Sequence, residues 1–241
     1  MLERPELRAR ICSALDAGSL LLIADAGFGK TTALRDALDH SGYHAAWVRC
    51  GDAGGDAGRL LALIIDAIGA ALPGAVDVLA EQMIAAPEAV DPELATGALV
   101  RELARLLVDP LVLCLDDAEA LEGSAAALAV AARLVGGGSD CLRLGVATRR
   151  PLAIRLARER AAGRVAELGP AELAFTAADC EAYLRLAHGH EPQPDEVDAL
   201  VEETEGWPLG VVLSGPPRSA PGPSRGRRPS AWSASRVAAS R

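Results

Sequence analysis

Ala24-Asp25-Ala26-Gly27-Phe28-Gly29-Lys30-Thr31-Thr32 follows the apolar run Leu20-Leu21-Leu22-Ile23. A short buried strand, a turn with two glycines, and a lysine with two hydroxyls opening a helix make the P-loop pattern G-x-x-x-x-G-K-[ST]. Ala24 stands at its first glycine. The residue types explain the chemistry. Gly27 and Gly29 let the backbone curl so that its N–H groups face phosphate oxygens. The positive end of the following helix adds to that attraction. Lys30 is expected to reach the β- and γ-phosphates, and Thr31 to place its hydroxyl on Mg²⁺. The nucleotide-contacting stretch is therefore Ala26, Gly27, Phe28, Gly29, Lys30, Thr31 and Thr32. Of the 24 basic residues, only Lys30 is lysine. A compact ammonium suits a phosphate cradle better than a planar guanidinium.

A second cluster of chemistry follows Leu111-Val112-Leu113-Cys114-Leu115, which ends in Asp116-Asp117. Continuous apolarity suits a strand buried on both faces of a parallel sheet, and ligands collect at the carboxyl ends of such strands. Asp116 is expected to hold Mg²⁺, directly or through water. Asp117 is placed to orient or deprotonate an attacking water. Arg149 ends a further strand, 141–148, which in this class lies between the P-loop strand and the Asp-Asp strand. That placement aims its guanidinium at a γ-phosphate; Arg150 could serve instead, or either could form a surface ion pair. His40, His44, His188 and His190 have no metal-ligand spacing.

The elements needed to position these groups can be read from periodicity and breakers. Helices are expected over 5–17, 30–39, 59–72, 76–86, 91–108 and 121–135, with another reaching about residue 162. Strands are expected over 20–23, 43–49, 111–115, 141–148 and 164–168. Five βα alternations predict a three-layer α/β sandwich with a five-stranded parallel sheet. From Thr176 the pattern is helical, over 176–188, 194–205 and a last piece after Gly206-Trp207-Pro208. The expected organisation is a P-loop NTPase core over 1–170, a partial small helical subdomain over 171–213, and a disordered Arg/Ser/Pro-rich tail over 214–241.

Bulk properties narrow the function further. Half of the 241 residues are hydrophobic, enough for a core, and the net charge is −9. Six Arg and no acid fall within 214–241, so residues 1–213 carry −15. Such an acidic body offers no electrostatic footprint for nucleic acid. The five scattered cysteines lack a C-x-x-C pair, which suits reduced, buried thiols in a cytoplasmic protein. The start lacks a signal-peptide core, and no apolar run is long enough to span a membrane.

In order along the chain, residues 4–38, 111–121, 142–184 and 204–215 resemble the N-terminal ATPase domain of the large ATP-binding LuxR-type transcriptional regulators. These are the MalT-like members of the signal-transduction ATPases with numerous domains (STAND), within the broader AAA/STAND ATPases. The resemblance implies an ATP/ADP-switched core with Mg²⁺, in which Lys30 and Thr31 match the P-loop and Asp116 and Asp117 the Walker B strand. Arg149 matches the Ser/Thr-Arg sensor. Gly206 and Pro208 match a Gly-x-Pro element whose proline packs near the adenine, and 173–176 match the step into the small helical domain. It also implies slow Mg-dependent hydrolysis and self-association or a protein partner on ATP binding. Asp25 departs from the family's usual proline, and the likeness stops near Leu213, before any winged helix, helical repeats or helix-turn-helix. The expectation is a truncated N-terminal part with no sequence-specific DNA binding of its own. The alternative is a stand-alone P-loop ATPase, or a kinase acting on a small molecule.

Overall fold

The computed structural model describes residues 2–78, 80–81, 91–136, 142–189 and 191–214. Five strands form one parallel sheet: β1 (Ser19–Ile23), β2 (His44–Arg49), β3 (Leu111–Asp116), β4 (Leu142–Thr148) and β5 (Val165–Leu168), in the order β2-β3-β4-β1-β5. Helices pack on both faces of the sheet. These are α1 (Pro5–Ala17), α2 (Lys30–Asp39), α3 (Ala57–Ala71), α4 (Pro92–Leu106), α5 (Ala125–Gly136) and the short α6 (Ala157–Ala161). The C-terminal helices are α7 (Pro170–Leu173), α8 (Ala177–His188), α9 (Pro194–Thr204) and α10 (Pro208–Ser214).

The pleat explains the continuous apolar runs. Along β3, Leu111, Leu113 and Leu115 enter the core made with α3, α4 and α5, while Val112 and Cys114 enter the core made with α1 and α2. β1 does the same, with Leu21 on one side and Leu20 and Leu22 on the other. Each such leucine contributes on the order of 1.5–3 kcal/mol by leaving water. A third, separate cluster of Cys180, Leu184, Val197, Leu200 and Val211 holds α8, α9 and α10 together. Cys50, Cys114 and Cys180 are buried, and burial pushes the Cys50 thiol up to about 12 and that of Cys180 up to about 11.

Two local features differ from the sequence expectation. The helix expected over 121–135 is split into a 3₁₀ turn, Ala118–Gly123, and α5. Asp117 adopts a left-handed conformation (φ 52°) that breaks direction after β3, and Ser124 Oγ accepts from Ala127 N–H to restart the chain as α5. The helix expected to reach about 162 is confined to Ala157–Ala161. Of the helix expected over 76–86, residues 79 and 82–86 lie outside the described residues, as do His190 and, apart from Ser214, the tail over 214–241.

Gly145 sets how closely the phosphate-loop helix approaches the sheet. It lies in β4 opposite Leu20 and Cys114, and a Cβ there would sit 2.9 Å from Leu34 Cδ2 of α2. Leu34 is buried at 1% exposure, so it has little room to retreat. Gly145→Ala is expected to cost about 1–3 kcal/mol through overpacking, read from the urea midpoint. Shortening the opposing side chain in Gly145→Ala/Leu34→Val should recover part of that loss. A double variant no more stable than Gly145→Ala would show that α2 is seated by other contacts.

Candidate nucleotide-binding site

The loop between β1 and α2 is built by backbone conformation first. Gly27 (φ 85°) and Gly29 (φ 72°) are both left-handed, a region costly for residues with a Cβ. Gly29 is the N-cap of α2 and supplies no side-chain cap. The first N–H groups of α2 are thus left to a ligand, and the helix dipole adds its positive end there.

Every carbonyl from Ala24 to Gly27 has a donor. Lys30 Nζ donates to Ala24 O at 2.6 Å and to Asp25 O at 3.0 Å. Trp207 Nε1 donates to Ala26 O at 3.0 Å, and Leu209 N–H to Gly27 O at 3.1 Å. The loop's oxygens are turned away and held. Its amides can serve an anion, and the peptide groups already polarised at oxygen donate more strongly at nitrogen.

The strand ends bring the second cluster alongside. β4 lies between β1 and β3, as expected for the strand that carries Arg149. Thr31 Oγ1 donates to Asp116 Oδ1 at 2.8 Å, and Asp117 N–H donates to the same carboxylate oxygen at 3.1 Å. A hydroxyl and a carboxylate oxygen so placed suit Mg²⁺, which takes one or two carboxylates plus substrate phosphates and keeps several waters. Asp117 is exposed beside them. Burial lowers the Lys30 pKa from its ordinary value; Glu119 opposes that shift, Arg149 adds to it, and Asp116 and Asp117 oppose it.

The Arg149 guanidinium is paired with an acid at the strand ends. Its Nε lies 2.9 Å from Glu119 Oε1, and its backbone N–H donates to Glu119 Oε2 at 3.1 Å. Arg150 pairs with Glu122 at 2.9 Å. Glu119, not singled out from the sequence, thus holds Arg149 at both its side chain and its backbone.

Next to the loop, Phe28, Thr32, Pro208, Phe175 and Val212 help to line a cavity of about 350 Å³. Its largely apolar walls suit a planar base, while the glycines at its edge lead to the phosphate cradle. Pro208 is therefore on the cavity wall with Phe28 and Thr32. Arg4 and Asp36 also border it, and neither was singled out from the sequence. Arg4 donates to Leu173 O at 2.8 Å and Ala174 O at 2.6 Å, pairs with Asp179 at 3.2 Å and stacks over Phe175 at 5.0 Å. Asp36 is held by Arg8 at 2.9 Å. Among the described residues, no helix is long and apolar enough to cross a membrane.

No protein-family model matches the chain, and no curated protein matches it in sequence. Solved structures do. A Signal Transduction ATPase with Numerous Domains carrying a tetratricopeptide repeat sensor, from Pyrococcus horikoshii, superposes over 88% of this chain with TM-score 0.55 and 17% identity. The fold is that of the P-loop NTPases. A Walker-type ATPase of Pyrococcus abyssi (TM-score 0.53, 15% identity) and the ORC1 protein of Aeropyrum pernix, solved in complex with DNA (0.54, 16%), each match 88% of the chain as well. This chain spans 29%, 66% and 58% of those three proteins respectively.

The contact between α10 and the loop can be tested at Gly27. A Cβ there would lie 2.6 Å from Leu209 Cβ and 2.8 Å from Trp207 Nε1, whereas one at Gly29 would meet nothing within 4 Å. Both positions carry the left-handed penalty of about 1–2 kcal/mol, but only Gly27→Ala adds about 1–3 kcal/mol of overpacking. Denaturant unfolding should therefore rank Gly27→Ala well below Gly29→Ala. Equal losses would mean that α10 does not press on the loop in solution.

Proposed function

We propose that this chain is an ATP/ADP-binding signalling module in which the occupant of the phosphate loop governs the seating of the C-terminal helices. The observation that carries the proposal is the pair of hydrogen bonds from Trp207 and Leu209 to Ala26 and Gly27. The same two peptide groups that face a phosphate through nitrogen hold α10 through oxygen. A shift of the loop on nucleotide exchange therefore reaches α10 without an intermediary, which is what a switch requires.

In this reading residues 1–170 form the nucleotide-binding core and 171–213 a small helical subdomain. Lys30 leaves the Ala24 and Asp25 carbonyls to meet β- and γ-phosphate oxygens. Thr31 and Asp116 would hold Mg²⁺, which would supply neutralising charge to the phosphates. Asp117 orients the attacking water, and Pro208 and Phe28 flank the base. Hydrolysis is slow, since no partner's arginine finger is guaranteed to complete the site. The ordered sequence matches support a MalT-like, LuxR-type regulator as the setting, with self-association or a protein partner as the output of the ATP state. The cytoplasm is the matching compartment.

The test is thermal unfolding with Mg-ADP. At one hundred times its Kd, a ligand of the native state adds about 2.7 kcal/mol, which is a shift of several degrees at this chain length. Lys30→Ala should abolish the shift, measured against its own ligand-free midpoint, which the loss of two carbonyl hydrogen bonds lowers. An undiminished shift in Lys30→Ala would refute the site assignment, and fast phosphate transfer to a small molecule would favour the kinase alternative.

A further inference from the structure

The strand ends carry an arrangement that ATP binding alone does not explain. Thr148, the last residue of β4, accepts from Ala24 N–H at 3.2 Å, so the β4 end is pinned to the start of the phosphate loop. Arg149 is the next residue, which puts an arginine one peptide from the loop. Its side chain is 57% exposed and is held at the other strand end by Glu119, whose side chain is only 16% exposed. Glu119 in turn lies three residues beyond Asp116, the partner of Thr31. It sits on the 3₁₀ turn that the left-handed Asp117 creates. Both oxygens of Glu119 are used on Arg149, one by Nε and one by the backbone N–H.

We infer that Glu119 sets the preference between nucleoside diphosphate and triphosphate by competing with the terminal phosphate for Arg149. The inference rests on the nucleotide-site reading above. A diphosphate engages the glycine loop and Lys30 and leaves the Arg149–Glu119 pair intact. A third phosphate extends toward the ends of β3 and β4, where it offers the guanidinium a second anionic partner. To take it, Arg149 must give up Glu119. The cost falls on the triphosphate alone, so the intact pair favours retention of the diphosphate.

Glu119 is thus a positioning residue for Arg149, and a double-mutant cycle separates this role from simple repulsion. Binding of Mg-ADP and of a non-hydrolysable Mg-ATP analogue is measured by calorimetry on the full chain. The variants are wild type, Glu119→Gln, Arg149→Ala and the double variant. Glu119→Gln keeps the side-chain shape, so the 3₁₀ turn is retained. Releasing one partly exposed ion pair should raise the ATP-to-ADP affinity ratio about five-fold, with ADP binding within two-fold of wild type. In the Arg149→Ala background the same Glu119 change should move the ratio less than two-fold.

An equal gain in both backgrounds would overturn the inference, because Glu119 would then act only by direct charge. So would a Glu119→Gln variant with slower hydrolysis and an unchanged affinity ratio, which would mark Glu119 as a base. Failure of wild type to bind either nucleotide would overturn this inference and the site reading together. Normal wild-type binding with no response at Glu119 would overturn this inference alone.

Discussion

The structure depends on the peptide groups of Ala26 and Gly27. Gly27 is left-handed, and the two oxygens accept from Trp207, just before α10, and from Leu209 within it. A peptide group is a single dipole, so loading it at one end strengthens it at the other. Gly27 lets this happen, since any side chain there would occupy the space of Leu209. The loop is held at its other end by Lys30, which closes on the Ala24 and Asp25 carbonyls. In the proposed function, binding and helix seating are therefore two ends of one set of hydrogen bonds.

The sheet supplies the remaining constraint. Parallel pairing places the carboxyl ends of β1, β3 and β4 at one edge, in the order β3-β4-β1. A hydroxyl from the start of α2 can therefore reach a carboxylate at the end of β3. Two core layers, one on each face, keep that edge in register. Most of the stabilising burial thus lies away from the phosphate loop and the strand ends, which are made of hydrogen bonds and charges.

At the opposite side of the cavity Arg4 performs a similar joining task. From the segment before α1 it reaches the carbonyls of Leu173 and Ala174, the acid of Asp179 and the ring of Phe175. Gly206 (φ 71°) accepts there from Phe175 N–H at 2.7 Å. The connection between the sheet-bearing residues and α8 to α10 is therefore a compact polar junction over an apolar cavity. Such junctions can be re-made at modest cost, whereas a large apolar interface would resist movement.

Much of the fold was legible in the sequence because its signals are local. Continuous apolar runs marked β1, β3 and β4, and Gly27, Gly29 and Lys30 marked the loop, since turn geometry and strand burial are decided within a few residues. The split after Asp117 was less legible, because a left-handed non-glycine residue leaves no sequence mark. The direction of Arg149 was not legible either. A flexible charged side chain goes to the best partner within reach, and Glu119, the partner it finds, is 30 residues away in the chain. Arg4 lies 169 residues from Leu173, and Trp207 lies 181 from Ala26. Spacing along a chain carries no record of contacts at that separation. The sequence by itself determined the phosphate loop, the paired carboxylates and the parallel α/β sheet, whose causes are short-range. Only the tertiary structure decided which carbonyls the C-terminal helices hold and which acid takes Arg149, because those contacts exist only once the chain has closed on itself.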